Sequence, residues 1–147
     1  MKRIALVTGA GRGIGLATAR RLRDDGHGVV ACGRGERPDD LDEDLAWVRC
    51  DVTSEASVAE AFDHVESEIG NVEVLVANAG ITRDQLLVRM SDDDFTTVLD
   101  TNLAGTFRVA RRAARRMIRA RWAHRGDLVG GGCDRPGRPG QLRRCQG

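Results

Sequence analysis

Four glycines occupy alternate positions from Gly9 to Gly15, in a turn that joins a short aliphatic run to an amphipathic segment. Glycine tolerates left-handed backbone angles and lets the backbone come close to a ligand or a neighbouring helix. When such a turn lies between a buried strand and a helix, the free N–H groups and the positive end of the helix favour a bound phosphate. Without this context, a glycine-rich turn is more often purely structural. The turn therefore predicts that the chain begins with a strand, a phosphate-binding loop and a helix.

The spacing of apolar residues predicts alternating strands and helices in residues 1–121. The predicted strands cover residues 3–7, 29–32, 46–50 and 72–77. Helices are predicted to begin near Gly13, at Thr53 or Ser54, and at Ser91, which opens a capping box with Asp94. Alternation of this kind predicts an α/β fold, a Rossmann-like doubly wound parallel sheet. The expected strand order is 3-2-1-4, with the later strands of such a sheet missing.

The same spacing predicts which residues the helices bury. In the first helix these are Ile14, Ala17 and Leu22, and in the second they are Val58, Phe62, Val65 and Ile69. The predicted buried stripe of the long third helix consists of Phe95, Val98, Leu99, Leu103, Phe107, Ala110, Ala114 and Met117. Asn102 continues this stripe, and because a bare amide is costly to bury, we expect it to have hydrogen-bond partners.

Charge and composition change along the chain. Residues 1–100 contain 11 basic and 20 acidic side chains, whereas residues 101–147 contain 12 basic and 2 acidic ones. The basic end has one aromatic residue after Phe107 and no recognisable nucleic-acid-binding module, so we expect no nucleic-acid partner. Residues 122–147 are rich in Gly, Arg and Pro without periodicity. They are predicted to form a disordered tail after an ordered half-domain in residues 1–121.

Long apolar runs and metal-ligand motifs are missing from the sequence. No run approaches the roughly 20 apolar positions that a membrane span needs, so we expect no contact with a membrane. The apolar-leaning run after Met1 is too short for a signal peptide, and the expected location is the cytoplasm. The cysteines form no C-x-x-C pair and have no His-rich neighbourhood, so no metal site is predicted.

Four motifs resemble those of the short-chain dehydrogenase/reductase family, over residues 1 to about 121. The turn from Thr8 to Gly15 has the spacing T-G-x-x-x-G-x-G, and Asp51-Val52 follows the third strand. Asn78-Ala79-Gly80 ends the fourth strand, and Asn102 lies on the long helix. The resemblance implies a nicotinamide dinucleotide bound by Thr8, Gly9, Gly11, Arg12, Gly13, Ile14, Gly15, Asp51, Val52, Asn78, Ala79 and Gly80. It also implies that Asn102 holds a water in the catalytic proton relay; the alternative is a core asparagine bonded to backbone.

The end of the second strand favours NADP(H) as the cofactor. An acid at this place usually binds the ribose 2′-hydroxyl of NAD, but the strand leaves through Gly33-Arg34, with no carboxylate before Glu36. The guanidinium groups of Arg34 and Arg12 are geometrically suited to the oxygens of a 2′-phosphate. The alternative is that both are ordinary surface arginines.

Two segments, V-L-V-A-N-A-G-I-T-R-D-Q-L-L-V-R-M at 74–90 and T-N-L-A-G-T-F at 101–107, resemble the bacterial 3-oxoacyl-acyl-carrier-protein reductases. The resemblance implies NADPH-dependent reduction of a 3-oxoacyl thioester in fatty-acid synthesis, although polyketide and other carbonyl reductases share much of the pattern. It also implies a homotetramer, which we do not expect this chain to form. Acyl carrier protein is acidic, and complementary charge would come from Arg115, Arg116, Arg119 and Arg121. A solvated helix face is the alternative interpretation of these arginines.

The catalytic residues of this family are missing. Its chemistry needs a tyrosine that passes a proton to the carbonyl, a lysine that lowers the pKa of the phenol, and a serine that orients the substrate. The 147 residues contain no tyrosine, Lys2 is the only lysine, and no serine follows Ser91. Asn102 is the one member of the catalytic set that remains. We predict a catalytically incomplete chain, and a non-catalytic nucleotide-binding module is the other function that the sequence allows.

A frameshift near residue 121 would account for the missing residues. Read with the frame advanced by one base, Trp122 to Gly130 can encode G-R-I-V-V-I-S-S, which resembles the strand with the catalytic serine. In the same frame Gly140 to Gly147 can encode A-N-Y-A-A-A-K, which restores a Y-x-x-x-K pair. Loss of the following strands would leave the fourth strand as an exposed apolar edge, so we also expect low stability.

Overall fold

The computed structural model describes residues 2–126, with side-chain surroundings through Arg119. The strands of this part are β1 (Ile4–Thr8), β2 (Gly28–Gly33), β3 (Ala46–Arg49) and β4 (Val72–Val76). Its helices are α1 (Gly13–Asp24), α2 (Glu55–Glu68), α3 (Asp92–Leu99) and α4 (Gly105–Gly126). A 3-10 turn at Leu87–Arg89 precedes α3, and a π-helical turn at Asp100–Ala104 joins α3 to α4. Among the helices described, none combines the length and the apolar character that crossing a bilayer requires.

The sheet has the order β3-β2-β1-β4, which confirms the predicted Rossmann-like topology. All neighbouring strands are parallel, and Leu6 of β1 lies opposite Val30 of β2 and Leu75 of β4. The chain adds β2 and β3 on one side of β1 and then β4 on the other. At such a reversal of strand order, a crevice opens beyond the carboxyl end of the central strands, and open α/β sheets bind ligands there.

Apolar side chains cover both faces of the sheet. Leu6 points to one face, where it belongs to a cluster with Phe62 of α2 and Val109 of α4. Val7 points to the other face and belongs to a cluster with Leu16 of α1. The alternation along β1 therefore places α1 on one side of the sheet and α2 and α4 on the other.

The β4 strand is only partly covered. Among residues 2–126 its single partner strand is β1, and Val74, Leu75 and Val76 are half-buried. The partly exposed apolar edge expected from the sequence is therefore present in this part of the chain.

Two serines begin helices by capping them. Ser54 Oγ accepts a hydrogen bond from the Ser57 N–H (3.2 Å), so Ser54 rather than Thr53 caps α2. Ser91 Oγ accepts from the Asp94 N–H (3.1 Å) and donates to the Asp94 carboxylate (2.8 Å). This pairing confirms the predicted capping residues of α3 and fixes where that helix begins.

The buried face of α1 differs from the prediction. Ile14 is 80% exposed and Ala17 is exposed, whereas Leu16 and Ala19 are buried and Leu22 is half-buried. The prediction for Ile14 and Ala17 was wrong because the glycine between Ile14 and Leu16 packs directly on the turn after β1. This contact rotates Leu16 and Ala19, rather than Ile14, toward the sheet.

The buried face of α2 agrees with the prediction except at its end. Val58, Phe62 and Val65 are buried, whereas Ile69 is 43% exposed. Ile69 follows the last helical residue, and the chain then turns away at Gly70, whose φ is +142°. The helical spacing therefore no longer determines where Ile69 points.

The long helix buries a different face from the one predicted. Most of the predicted stripe is exposed, namely Phe95, Leu99, Leu103, Phe107, Ala110 and Ala114. Val98 and Met117 are half-buried. The buried positions are Thr101, Gly105, Val109 and Ala113, which recur every four residues. A Cβ at Gly105 would lie 2.7 Å from a methyl carbon of Val52, so only a small residue permits this approach. Close packing selects the face of small and β-branched residues rather than the most apolar one.

A cluster of ion pairs joins α2 to α4. The Glu66 side chain is 6% exposed, and its carboxylate lies 3.1 Å from Arg112 Nη2 and 3.0 Å from Arg116 Nε. Arg112 also pairs with Asp63, and its guanidinium carbon lies 5.3 Å from the centre of the Phe62 ring. Burial of the Glu66 carboxylate is tolerated because two cations compensate its charge.

We predict that Phe62→Ala lowers the free energy of unfolding by about 3–5 kcal/mol, because the ring is fully buried and its removal leaves a cavity. Phe95→Ala is the matched control, since that ring is 54% exposed, and we expect it to lower the free energy by less than about 1 kcal/mol. Urea unfolding followed by far-ultraviolet circular dichroism measures both values. A loss at Phe62 no larger than that at Phe95 would contradict this packing.

Candidate functional site

The glycine turn lies in the crevice beyond the carboxyl end of β1. Gly9 and Gly13 have left-handed backbones, with φ of +66° and +58°. Gly15 brings α1 against the turn, since a Cβ there would overlap the Gly9 carbonyl and lie 2.5 Å from Asn78 Nδ2. By contrast, nothing lies within 4 Å of a Cβ built on Gly13. The turn is therefore closely packed on its inner side and open on its outer side.

The first turn of α1 leaves backbone N–H groups available to a ligand. The N-terminal N–H groups of a helix have no partner within the helix. Arg12, the N-cap residue, makes no side-chain capping bond, and the first turn contains no acidic residue. The positive end of α1 therefore remains available to an anionic group. The exposed side chain of Ile14 adds an apolar surface beside these N–H groups.

Thr8 and Asn78 hold the ends of β1 and β4 together. Thr8 Oγ1 accepts hydrogen bonds from the backbone N–H groups of Asn78 (2.9 Å) and Ala79 (3.0 Å). The Asn78 side-chain amide donates to the carbonyl oxygens of Thr8 (3.0 Å) and Gly9 (3.2 Å). Asn78 therefore positions the glycine turn through its backbone, and its amide group points at the turn rather than into the open crevice.

Asp51 is a half-buried carboxylate just after β3. Its Oδ1 accepts hydrogen bonds from the Thr53 hydroxyl (2.7 Å) and the Thr53 N–H (2.9 Å). These bonds lower the pKa of Asp51 below its usual value; burial opposes them, and the charges of Arg34 and Arg108 add to the lowering. Asp51 is therefore ionised near neutral pH and can accept a further hydrogen bond.

Arg34 and Arg12 are both exposed. Arg34 follows β2, and its carbonyl oxygen accepts a hydrogen bond from Arg49 Nε (3.0 Å). Together with Thr53 and Asp100, it lines a cavity of about 550 Å³ that reaches from the loop after β2 to the junction of α3 and α4. The structure thus brings Arg34 to the side of the crevice where Asp51 lies, and it places Arg12 at the start of α1.

Asn102 is exposed, so its predicted burial was wrong, but the predicted hydrogen-bond partners are present. Its Oδ1 accepts from the Ile81 N–H (2.8 Å) and its Nδ2 donates to the Ile81 carbonyl oxygen (2.9 Å). A Cβ at Gly80 would lie 3.2 Å from Asn102 Oδ1, so the glycine permits this close approach. The amide is exposed because α4 turns its small-residue face, rather than the predicted stripe, toward the sheet. Its side chain bonds to backbone, although it does not lie in the core as the alternative interpretation supposed.

A smaller cavity of about 270 Å³ borders Asn102. Its apolar lining comes from Ile81, Met90, Phe95 and Val98. Its other lining residues, Thr82, Arg83, Asp84 and Asn102, are polar or charged, so the wall of this cavity is mixed.

Two residues near the crevice, Trp47 and Arg108, were missed by the sequence analysis. Arg108 bonds the Asp100 carboxylate (2.7 Å) and the Val52 carbonyl oxygen (3.2 Å), so it joins α4 to the segment after β3. Trp47 of β3 places its ring against two glycines that are distant in sequence. A bulky residue in a chain with only 3% aromatics was the one signal that pointed to Trp47.

Sequence comparisons relate the chain to known reductases. The family model for short chain dehydrogenases matches residues 3–129. The 3-oxoacyl-[acyl-carrier-protein] reductase MabA of Mycobacterium tuberculosis is 49% identical over 119 residues, which cover 81% of this chain and 47% of MabA. The corresponding reductase FabG of Aquifex aeolicus is 40% identical over 129 residues, covering 82% of this chain and 52% of FabG. The chain spans about half the length of the curated relatives it matches.

A solved structure has the same fold. The ligand-free aldohexose dehydrogenase of Thermoplasma acidophilum matches with a TM-score of 0.74 and 33% sequence identity, covering 80% of this chain and 45% of that protein. The family model, the sequence relatives and the parallel sheet agree with the predicted resemblance. The chain therefore belongs to the short-chain dehydrogenase family.

Proposed function

We propose that this chain binds NADP(H) in the crevice beyond β1, and that the reaction of its family is NADPH-dependent reduction of a 3-oxoacyl-acyl-carrier-protein. The observation that carries the proposal is the uncapped first turn of α1, beside the end of a β2 strand that has no acid. Free N–H groups suit a pyrophosphate, and the missing acid favours a 2′-phosphate over a 2′-hydroxyl.

Each part of the cofactor would meet residues of fitting chemistry. The backbone from Gly11 to Gly15 would bind the pyrophosphate. The Asp51 carboxylate and the neighbouring Val52 would contact the adenine, and Arg34 with Arg12 would bind the 2′-phosphate. When bound, the reduced cofactor supplies the hydride that reduction of a carbonyl needs.

The segment after β4 would shape the other side of the site. Thr8, Gly9 and Asn78 hold the turn in place through the hydrogen bonds between β1 and β4. Ala79 and Gly80 carry little or no side chain, so the cofactor could approach their backbone closely.

We predict that Arg34→Ala raises the Kd for NADPH by about 10- to 100-fold, because it removes a charge-assisted hydrogen bond to the 2′-phosphate. The Kd for NADH, which has no 2′-phosphate, should change by less than about 3-fold. Titration of the nicotinamide fluorescence measures both constants. Arg89→Ala is the matched control, since Arg89 is also exposed but lies in the 3-10 turn before α3. Equal weakening of the binding of both cofactors, or no weakening of either, would refute the role of Arg34.

The proposed substrate class is a 3-oxoacyl thioester. The relatives that are 40% and 49% identical are named as 3-oxoacyl-acyl-carrier-protein reductases, whereas the aldohexose dehydrogenase is 33% identical. Four of the eight residues that line the cavity beside Asn102 are apolar and would contact an acyl chain. Another carbonyl compound is the alternative substrate within the same family.

Part of the basic face of α4 would contact acyl carrier protein through complementary charge. Arg115 and Arg119 are exposed. Arg116 instead pairs with Glu66, and the side chain of Arg121 lies outside the described residues. Arg115 and Arg119 are therefore the residues that we propose for this contact.

We further propose that these 147 residues bind cofactor without turnover, because they contain no tyrosine and only Lys2 as a lysine. We predict that NADPH consumption with a 3-oxoacyl thioester is at least about 1,000-fold slower than with Mycobacterium tuberculosis MabA, since the general acid is missing. Absorbance of NADPH measures the rate, and fluorescence titration shows that the cofactor is bound under the same conditions. Consumption less than about 1,000-fold slower than with MabA would contradict the proposal. Binding with no turnover is also what a non-catalytic module would show.

The nucleotide sequence tests the frameshift hypothesis. We predict that Leu142 is encoded by CTA or TTA and Arg143 by a codon that begins with C, because only these combinations yield a tyrosine in the frame advanced by one base. The codons from Trp122 to Gly130 should also permit G-R-I-V-V-I-S-S in that frame. Any other codon pair at Leu142 and Arg143 removes the hidden tyrosine and refutes the hypothesis. Residues 127–147, where the Y-x-x-x-K pair would fall, lie outside the part of the chain that the structure describes.

A further inference from the structure

Trp47 lies across the carboxyl end of β2, on the face of the sheet that α1 covers. It belongs to β3, and its side chain packs on the apolar cluster that contains Leu16 and Leu45. From there its six-membered ring reaches Gly33, the last residue of β2, and Gly11 in the glycine turn. The indole therefore connects β3 to the two segments that would surround the ribose of a bound dinucleotide.

The indole ring occupies the space that a side chain at residue 33 would need. A Cβ built on Gly33 would lie 2.8 Å from Trp47 Cη2, which is closer than real Cβ atoms approach, and 3.3 Å from Cζ2, which is a tight contact. Gly33 does not have a positive φ, so its own backbone does not require glycine. At Gly11 the ring is 3.4 Å from the Cβ position. The ring of Trp47, rather than the backbone conformation, thus restricts residue 33 to glycine.

The backbone at residues 33 and 34 is bonded to β3 and the residue after it, so a shift away from the ring would strain these bonds. The Gly33 carbonyl accepts a hydrogen bond from the Cys50 N–H (2.8 Å), and the Arg34 carbonyl accepts from Arg49 Nε (3.0 Å). Both bonds connect this segment to β3 and to the residue after it. A side chain at residue 33 could be accommodated only if the indole moved.

Packing rather than hydrogen bonding holds the indole in place. Trp47 Nε1 is buried and has no hydrogen-bond partner among the described residues. An unsatisfied buried donor lowers stability. The ring position is therefore not explained by polar contacts of its own.

In dinucleotide-binding sheets, a carboxylate near the end of β2 bonds the ribose 2′-hydroxyl of NAD. The same carboxylate would repel a 2′-phosphate. We propose that Trp47 fills the side-chain space of residue 33, so that the position cannot place a carboxylate beside the ribose and the 2′ position is left to Arg34 and Arg12. This inference rests on the proposed binding of NADP(H).

A double-mutant cycle of Gly33→Asp and Trp47→Ala tests whether the ring and the side chain compete for space. We expect Gly33→Asp to lower the urea midpoint of unfolding in the wild-type background and to lower it much less when Trp47→Ala is present. Gly35→Asp is the matched control, because it adds the same charge where nothing lies within 4 Å of the Cβ position. Equal effects of Gly33→Asp in both backgrounds would overturn the competition for space.

Cofactor preference tests the specificity role. In the double variant we expect the ratio of the Kd for NADH to the Kd for NADPH to fall by at least about 100-fold. The new carboxylate would accept a hydrogen bond from the 2′-hydroxyl of NADH and would repel the 2′-phosphate of NADPH. Trp47→Ala alone should change the ratio by less than about 3-fold, since it adds no carboxylate. Gly33→Asp with Trp47 in place should change the ratio much less than the double variant does, and an equal fall in both would overturn the role of Trp47.

The two proposals fail in distinguishable ways. A wild-type chain that binds neither cofactor overturns the proposed function and the specificity role together. A wild-type chain that prefers NADPH, with a folded double variant that keeps the wild-type ratio, overturns the role of Trp47 alone.

Discussion

The contact between Gly15 and the Gly9 carbonyl determines where the rest of the site lies. No side chain separates α1 from the turn, so the first-turn N–H groups lie directly beyond β1. The Asn78 amide bonds the same turn from β4, and Thr8 accepts hydrogen bonds from the backbone of Asn78. A larger residue at Gly15 would displace α1 from the strand end and from the Asn78 amide. The crevice therefore depends on a packing contact, and its hydrogen bonds act around that contact.

Local sequence patterns predicted the elements and their order because they report local chemistry. A serine such as Ser54 or Ser91 caps a helix when it precedes an amphipathic segment. The spacing from Thr8 to Gly15 likewise specifies a turn independently of the rest of the chain. The buried face of α4 could not be predicted in the same way. Its apolar stripe is the larger one, but the Gly105 contact with Val52 depends on how closely two distant segments approach. Helical periodicity shows that a face is apolar and does not show what covers it.

The same distinction applies to the site. Asn102 was expected to have partners because it was predicted to be buried; it has them although it is exposed, and its partner, Ile81, could not be identified from spacing alone. Trp47 was missed because it contacts Gly11 and Gly33, which are distant in sequence. The register of the sheet and the path of the glycine turn bring them beside its ring. Residues that recognise a ligand through a motif can be found in one sequence. A residue that acts by occupying space becomes visible only when the elements are assembled.

The opposite charges of the two parts of the chain also have a role within the fold. Arg111 pairs with Glu55 at 2.7 Å, and Arg112 and Arg116 both approach the buried Glu66. Exposed pairs contribute at most about 1 kcal/mol each, whereas removing one partner of a buried pair destabilises a protein by about 3–5 kcal/mol. Much of the positive charge of α4 therefore holds that helix against α2. Charge asymmetry in a sequence does not by itself indicate a charged partner, since here the acidic partners of these arginines lie on the neighbouring helix of the same chain.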